Sequence, residues 1–161
     1  MPKAVPLSQG KFAIVDDADF DWLSQWKWSA QKAPHGFYAM RRCRGKLILM
    51  HRLILGTPDM ALTDHIDGDG LNNQRCNLRP CSALQNMMNR RGKRNGTSKF
   101  KGVWADNGPR NTKPWRAAIR INGKLQYLGR FHTEQAAGDA YADAAARYFG
   151  EFARSNAGGN P

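Results

Sequence analysis

Residues 64–89 read DHIDGDGLNNQRCNLRPCSALQNMMN, and the rest of the chain is organised around them. An adjacent carboxylate and imidazole, Asp64-His65, open the stretch. A loop dense in Gly, Asp and Asn follows, then Asn77-Leu78-Arg79, then a helix-like segment carrying Asn86 and Asn89. The pattern predicts a strand, a tight loop, a second strand, and a helix that returns the Asn86 amide to the Asp64 carboxylate. The loop glycines allow positive φ, and Asn72 and Asn73 suit the same turn chemistry. Pro80 makes the second strand short or an edge. Ser82 is a good N-cap, so a helix is expected from Ala83 to about Arg90, with Asn86 and Asn89 three residues apart on one face. A carboxylate and an amide oxygen are hard ligands, suited to Mg²⁺ or a similar ion that keeps most of its waters. An imidazole beside such an ion can take a proton from an attacking water. Asp67-Gly68-Asp69-Gly70 looks like the start of a calcium loop. It fails that test, because Leu71 and Leu78 stand at the fifth and twelfth positions, where oxygen ligands are required.

The charge balance points to a polyanionic partner. The 161 residues carry a formal net charge of +12 and a pI near 10.1, which favours nucleic acid. Both halves contribute. Residues 1–97 hold 15 basic and 8 acidic side chains, net +7, and residues 98–161 hold 10 and 5, net +5. Three cysteines, Cys43, Cys76 and Cys81, make an odd count without zinc-site spacing and read as reduced thiols. The chain shows no signal peptide and no apolar run near the roughly 18 residues of a membrane helix. A cytoplasmic, intracellular protein with no membrane and no small-molecule cofactor is expected.

On the N-terminal side, residues 1–55 read as a small, mostly β unit. Lys11 to Val15 is a strand. Asp16, Asp17 and Asp19 favour the N-terminus of a short helix from Ala18 to Gln25. Trp22, Trp26 and Trp28, with Phe20 and Leu23, read as core. Phe37 to Arg44 and Lys46 to Leu49 form a hairpin about Gly45. In Met50 to Leu55, His51 sits beside apolar residues and reads as structural, with a phosphate contact as the alternative.

On the C-terminal side, residues 91–98 are a basic linker leading into a second unit over residues 99–157. Phe100 to Ala105, Trp115 to Asn122 and Lys124 to Phe131 read as strands, the last two joined by Asn122-Gly123, a strong hairpin turn. In the middle strand Trp115, Ala117, Ile119 and Ile121 alternate with Arg116, Ala118 and Arg120, so one face is apolar and the other basic. Thr133 caps a helix running to Phe149, stopped by Gly150. Its small alanines let it lie close on the apolar face. The fold class is α+β: an N-terminal β-rich unit with a ββα core, then a three-stranded antiparallel sheet packed on one helix.

Asp64, His65, Asn77 and Asn86, at these spacings, resemble the HNH motif of the ββα-metal (His-Me finger) nucleases. The resemblance implies a nuclease domain over residues 1–90, its metal core at 56–90. It implies His65 as general base, Asp64 and Asn86 as ligands of one Mg²⁺ or Mn²⁺ ion per site, and Asn77 as the brace of the loop and of the base. An amide at position 86, where many relatives have histidine, makes a transition metal a poorer fit. The second unit resembles the AP-two (ethylene-response-factor) DNA-binding domain, which also follows HNH cores in phage and bacterial homing endonucleases. Phe100-Lys101-Gly102-Val103, Trp115 to Arg120, Tyr127-Leu128-Gly129-Arg130-Phe131, Thr133-Glu134, Ala136-Ala137, Ala140-Tyr141, Ala144-Ala145 and Gly150 to Asn156 carry it. Relatives lay this sheet in the major groove, and a sheet or ribbon fits there. Lys101, Trp104, Arg116, Arg120 and Tyr127 are the expected DNA contacts on the second unit. Arg79, Asn89, Arg90, Arg91, Lys93 and Arg94 are those of the core and linker. Together the resemblances imply a homing endonuclease, phage-type and active in its host's cytoplasm. It would cut double-stranded DNA as a monomer or dimer, leaving 5′-phosphate and 3′-hydroxyl ends. A non-catalytic sequence-specific DNA-binding protein and a restriction-type nuclease are the competing readings.

Overall fold

A computed structural model describes residues 1–34, 36–58, 61–90, 96–106, 108 and 112–154. The fold is α+β, with several small antiparallel sheets and few helices. Two compact units divide the chain, Met1–Met87 and Met88–Pro161. Among the described residues, no helix is long and apolar enough to cross a membrane.

In the first unit, β1 (Lys3–Pro6) pairs antiparallel with β2 (Phe12–Val15), Val5 opposite Ala13. Helix α1 (Asp17–Leu23) follows. A three-stranded sheet is built from β3 (Ser29–Ala33), β4 (Gly36–Cys43) and β5 (Lys46–Leu49), with β4 central. Arg44 and Gly45, both at positive φ, make the two-residue turn between β4 and β5. Helix α2 (Met50–Leu55) ends on Gly56 in the left-handed conformation, whose N–H bonds back to the Arg52 and Leu53 carbonyls. The short strands β6 (Leu62–His65) and β7 (Leu78–Cys81) pair antiparallel, placing Asp64 opposite Arg79 and His65 opposite Leu78. Helix α3 (Ala83–Met88) comes next. Ser82 and Gln85 form a reciprocal capping box: Ser82 Oγ accepts from the Gln85 N–H at 3.2 Å and Gln85 Oε1 from the Ser82 N–H at 2.8 Å.

One core holds these pieces: Val5, Ala13, Val15, Leu23, Trp28, Ala39, Met50, Ile54 and Leu78. Each large member contributes about 1.5–3 kcal/mol by leaving water. Leu78 belongs to it, so β7 is anchored in the same interior as β1 and α2. Trp22 and Trp26 pack on its rim. The ladder of tryptophans is capped by the Arg41 guanidinium, 4.2 Å from the Trp26 ring centre.

In the second unit, β8 (Val103–Ala105), β9 (Trp115–Ile121) and β10 (Lys124–Phe131) form an antiparallel sheet with β9 central. Asn122 and Gly123, at φ +48° and +80°, make the β9–β10 turn. Helix α4 (Glu134–Phe149) starts on Thr133, whose side chain accepts from the Ala136 N–H at 3.1 Å, and stops at Gly150. Ala137, Tyr141, Ala144 and Ala145 pack on Val103, Ala117 and Ile119, with Phe100 covering the end of this core.

Gly102 permits the closest approach here. It sits at φ +72°, and a methyl group on it would lie 2.6 Å from the Ala118 carbonyl oxygen and closer still to the Tyr141 ring. Gly102→Ala therefore combines positive-φ strain with a collision against backbone. We expect a loss of about 1–3 kcal/mol in the second unit's stability, read from urea unfolding followed by Trp104 and Trp115 fluorescence. A stability equal to the parent's would show that β8 has room to move.

Candidate active site

The loop between β6 and β7 is fixed from three sides. Its own carboxylate and amides come first. Asp67 Oδ1 accepts from the Asp69 N–H at 2.8 Å, and Asp69 Oδ1 from the Leu71 N–H at 3.0 Å. The Asn77 side chain spans the loop: its Oδ1 accepts from the Asp67 N–H at 3.0 Å, and its Nδ2 donates to Asp67 Oδ1 at 3.0 Å and the Asn72 carbonyl at 2.8 Å. Second, the loop pairs with β2. The Ile14 N–H donates to the Leu71 carbonyl at 2.8 Å, and the Asn73 N–H to the Ile14 carbonyl at 2.7 Å. Third, α1 and its leading residue hold the loop's far end. The buried Asp19 takes a two-pronged contact from Arg75, Nε to Oδ2 and Nη2 to Oδ1, both 2.8 Å, and Asp16 Oδ2 accepts from the Arg75 N–H at 2.8 Å. Asp16 and Asp19, expected as helix N-terminal charges, thus act as anchors for a segment nearly sixty residues away. That role has no local signature in the sequence.

The loop holds His65 in a buried aromatic corner. Its ring lies 4.8 Å from the His51 ring, edge to face, and 5.7 Å from Tyr38; Tyr38 and His51 are 5.6 Å apart. Gly70 lets the loop press on β4, since a methyl group there would stand 2.6 Å from Tyr38 ring carbons. His65 Nε2 lies 3.4 Å from the Oδ1 of Asn73, a residue with no solvent exposure. Asn73, read from the sequence as a turn former, is the side chain at the ring; the Asn77 side chain braces the loop below it.

Burial pushes His65 below its ordinary value. The Asn73 contact and the charges of Asp67, Asp64 and Asp69 oppose that shift. The net shift favours the neutral form of the ring. His51 is pushed down to about 3, first by burial, then by His65 and Arg52. Among the described residues its Nδ1 is buried without a hydrogen-bond partner. A surface phosphate contact by His51 does not fit this placement, because only 5% of the residue is exposed. The linkage sign follows. The unfolded ring takes a proton as pH falls below about 6.5, whereas the folded ring stays neutral to about 3. The stabilising preference for the neutral ring is fully present above 6.5 and lost toward 3. Between about pH 5.5 and 4 the His51 ring should by itself lower stability by roughly 1.4 kcal/mol per pH unit in urea titrations. His51→Phe should lessen the observed slope, leaving the part due to His65; an unchanged slope would place its cause elsewhere.

Asp64, also buried, is held by Arg79. Nε and Nη2 both donate to Asp64 Oδ2, at 3.0 and 2.8 Å, and the arginine side chain is only 11% exposed. Arg79 is thus committed to the carboxylate beside it, which departs from its expected place as an outward DNA contact. Asn86 lies half-buried on α3. Among the described residues no three His, Cys, Asp or Glu side chains gather to hold a metal. The donor set expected from the sequence is one carboxylate, Asp64, and one amide, Asn86. That suits a hard ion keeping most of its waters and does not suit a closed zinc site. Cys43, Cys76 and Cys81 are free thiols.

The expected contacts of the second unit divide in two. Cross-strand register puts Trp104 and Arg130 opposite Arg116, Tyr127 opposite Ala118 and Leu125 opposite Arg120, so these side chains share the face away from α4. Trp104 and Tyr127 meet edge to face at 6.1 Å. Arg116 and Arg130 both ion-pair with Asp106, and Arg120 Nη1 donates to the Gly123 carbonyl at 2.6 Å. Arg130 is an addition that only the strand register reveals. Lys101 and Asn89 depart from expectation. The Lys101 ammonium donates to the Met88 carbonyl at 2.6 Å, and burial, with Arg154 and Arg90, lowers its pKa to about 8. Asn89 is buried. Arg90 is exposed, and Arg91, Lys93 and Arg94 lie outside the described residues.

Comparison with known proteins gives one informative relative. The chain is 30% identical over 154 residues to an uncharacterized HNH endonuclease of Acanthamoeba polyphaga mimivirus, an alignment covering 92% of this chain and 76% of the relative. No family model matches the chain, and no solved structure matches it significantly.

Proposed function

The chain belongs to the HNH endonuclease family, and from that premise we propose that it is a metal-dependent DNA endonuclease with His65 as its general base. The observation that carries the reading is the His65 ring itself: depressed toward the neutral form, seated in a rigid loop, and adjacent in sequence to a buried carboxylate. Neutral His65 accepts a proton from water as the water oxygen bonds to phosphorus. The bond from phosphorus to the 3′ oxygen breaks, leaving 5′-phosphate and 3′-hydroxyl ends. Asp64 and Asn86 would hold one Mg²⁺ or Mn²⁺ ion, as in the ββα-metal nucleases. When bound, the ion supplies charge compensation at the phosphate and the leaving oxygen. Arg79 fixes the Asp64 carboxylate through two donors on one oxygen. Asn77 keeps the loop closed beneath the base.

The second unit is read as an AP-two-like module that seats its free sheet face on duplex DNA. Trp104, Arg116, Arg120, Tyr127 and Arg130 on one face support that reading, with aromatic rings interleaved among cations. Phosphate contacts position the protein without reading bases, so recognition should tolerate sequence change. A fused binding module beside a single-strand cutting site favours a homing role. One site per chain cuts one strand, so a double-strand break needs a dimer or a second event.

Supercoiled plasmid tests the proposal. Incubated with protein and Mg²⁺ it should relax by nicking, with no nicking in EDTA and none by His65→Ala. Equal nicking by parent and mutant would remove His65 from the base role.

A further inference from the structure

We propose that Asp106 is a specificity-determining residue: it holds Arg116 and Arg130 back from the phosphates of an arbitrary duplex and keeps them for the neutral acceptor edges of bases. The inference rests on the reading of the free sheet face as the duplex-binding surface and adds to it a source of discrimination.

Strand geometry puts the carboxylate on that face. The Asp106 N–H donates to the Pro114 carbonyl at 2.6 Å, which carries the β8–β9 ladder one residue past Ala105. Side chains alternate along an extended strand, so Asp106 emerges on the same side as Trp104. There it meets two guanidinium groups from neighbouring strands. Arg116 of β9 and Arg130 of β10 stand opposite one another in the register. Nη2 of each contacts Asp106 Oδ2, that of Arg130 at 3.1 Å. Arg120, on the same face, donates to the neutral Gly123 carbonyl instead. The other carboxylates of this unit, Glu134, Asp139 and Asp143, lie on α4, and Glu151 lies just beyond it. Among the described residues, Asp106 is therefore the negative charge placed within the cations of the free sheet face.

The ion pairs are open to solvent. The Asp106 and Arg116 side chains are 29% and 28% exposed, and that of Arg130 46%. Pairs this accessible contribute little to folding, so stability gives small reason for a carboxylate in a basic face. Its effect on a ligand is different. A phosphate that approaches either arginine also approaches Asp106 and is repelled, because the three groups together carry one net positive charge where the arginines alone carry two. A base edge presents hydrogen-bond acceptors without net charge and meets no such opposition. A guanidinium has five N–H donors, so it can serve a base with some of them while another stays on the carboxylate. Asp106 thereby weakens the sequence-independent part of binding and leaves the base-dependent part.

The test is duplex binding by the full chain in EDTA, so that binding is read without cleavage. One duplex is selected from a random pool by the parent protein; the other is its scrambled counterpart of equal length and composition. Asp106→Asn should bind the scrambled duplex about 5- to 30-fold tighter than the parent at about 0.15 M salt, with a slope of log affinity against log salt steeper by about 1–2. It should gain less on the selected duplex. Asp106→Glu keeps the charge and should keep the parent's slope. A folded Asp106→Asn with the parent's slope overturns the proposal, and so does an Asp106→Glu slope as steep as that of Asp106→Asn. Arg130→Gln judges it without any change at Asp106: affinity should fall more for the selected duplex than for the scrambled one, and equal losses would make Arg130 a phosphate contact. A pool that yields no preferred duplex overturns it too. Arg120→Ala and Tyr127→Ala judge the underlying reading separately, because the ion pairs of Asp106 are with Arg116 and Arg130. If both bind the scrambled duplex as the parent does, the sheet face is not the DNA surface. If both weaken binding while Asp106→Asn matches the parent, only the role of Asp106 falls.

Discussion

His65→Ala should lower the nicking rate by about 10²- to 10⁴-fold at saturating Mg²⁺, the range a positioned general base contributes, while duplex binding persists. The separation follows from where the groups lie. The ring is buried in the β6–β7 corner between Tyr38 and His51, and the basic sheet face belongs to the second unit. Alanine leaves a hole under Tyr38, so unfolding and binding must be measured beside activity. His65→Gln, which fills more of the space, should be equally slow. The parent's pH profile adds a second check. The base must be neutral, and burial lowers the pKa of His65. The rate should therefore hold as pH falls through 6.5, the ordinary histidine value, and decline only below it. A decline centred above that value would assign the acid limb to another group. Nicking that persists undiminished in His65→Ala, with protein purity established, would leave the family's fold in place and the proposed base wrong.

Asp64→Ala should be as damaging to activity and costly to stability as well. Removing the carboxylate strands the Arg79 guanidinium, 11% exposed, without its partner. Leaving one member of a buried pair uncompensated costs about 3–5 kcal/mol, which should appear as a lower urea midpoint for the first unit. Asp64→Ala with Arg79→Met removes the stranded charge and should regain most of that stability. It should regain no nicking, because the proposed oxygen ligand is still missing. The pair of variants separates the two duties of Asp64. Full stability in Asp64→Ala would mean that the ion pair contributes little. Restored nicking in the double variant would mean that the carboxylate is not needed for the chemistry.

Much of the fold was legible wherever the determinant was local. Arg44-Gly45 and Asn122-Gly123 occupy positive-φ turn positions, so their hairpins could be read from two residues each. Thr133 and Gly150 bound α4 by cap chemistry, and the alternation Trp115, Ala117, Ile119 set the buried face of β9. Strands β1 and β3 have the opposite origin. Neither KAVP nor SAQKA carries a strand pattern of its own. Both exist because a better-patterned neighbour, β2 or β4, offers an edge to pair with. Helix α3 ends at Met88, short of the Arg90 that the cap and spacing predict, and Asn89 beyond it is buried.

The candidate site divides along the same line. Adjacency in the chain put Asp64 next to His65, and the spacing to Asn77, Arg79 and Asn86 was enough to suggest a strand–loop–strand–helix unit and a hydrolytic chemistry. Those are properties of residue order, which survives in any string of letters. The surroundings of the imidazole are not. His51, Tyr38 and Asn73 reach it from a helix, a strand and a loop, and Asp19 secures that loop through Arg75 across fifty-six positions. Burial depends on everything packed around a group at once. Only the tertiary structure could decide that the ring is buried beside an asparagine, and that Arg79 faces inward to a carboxylate instead of outward to solvent.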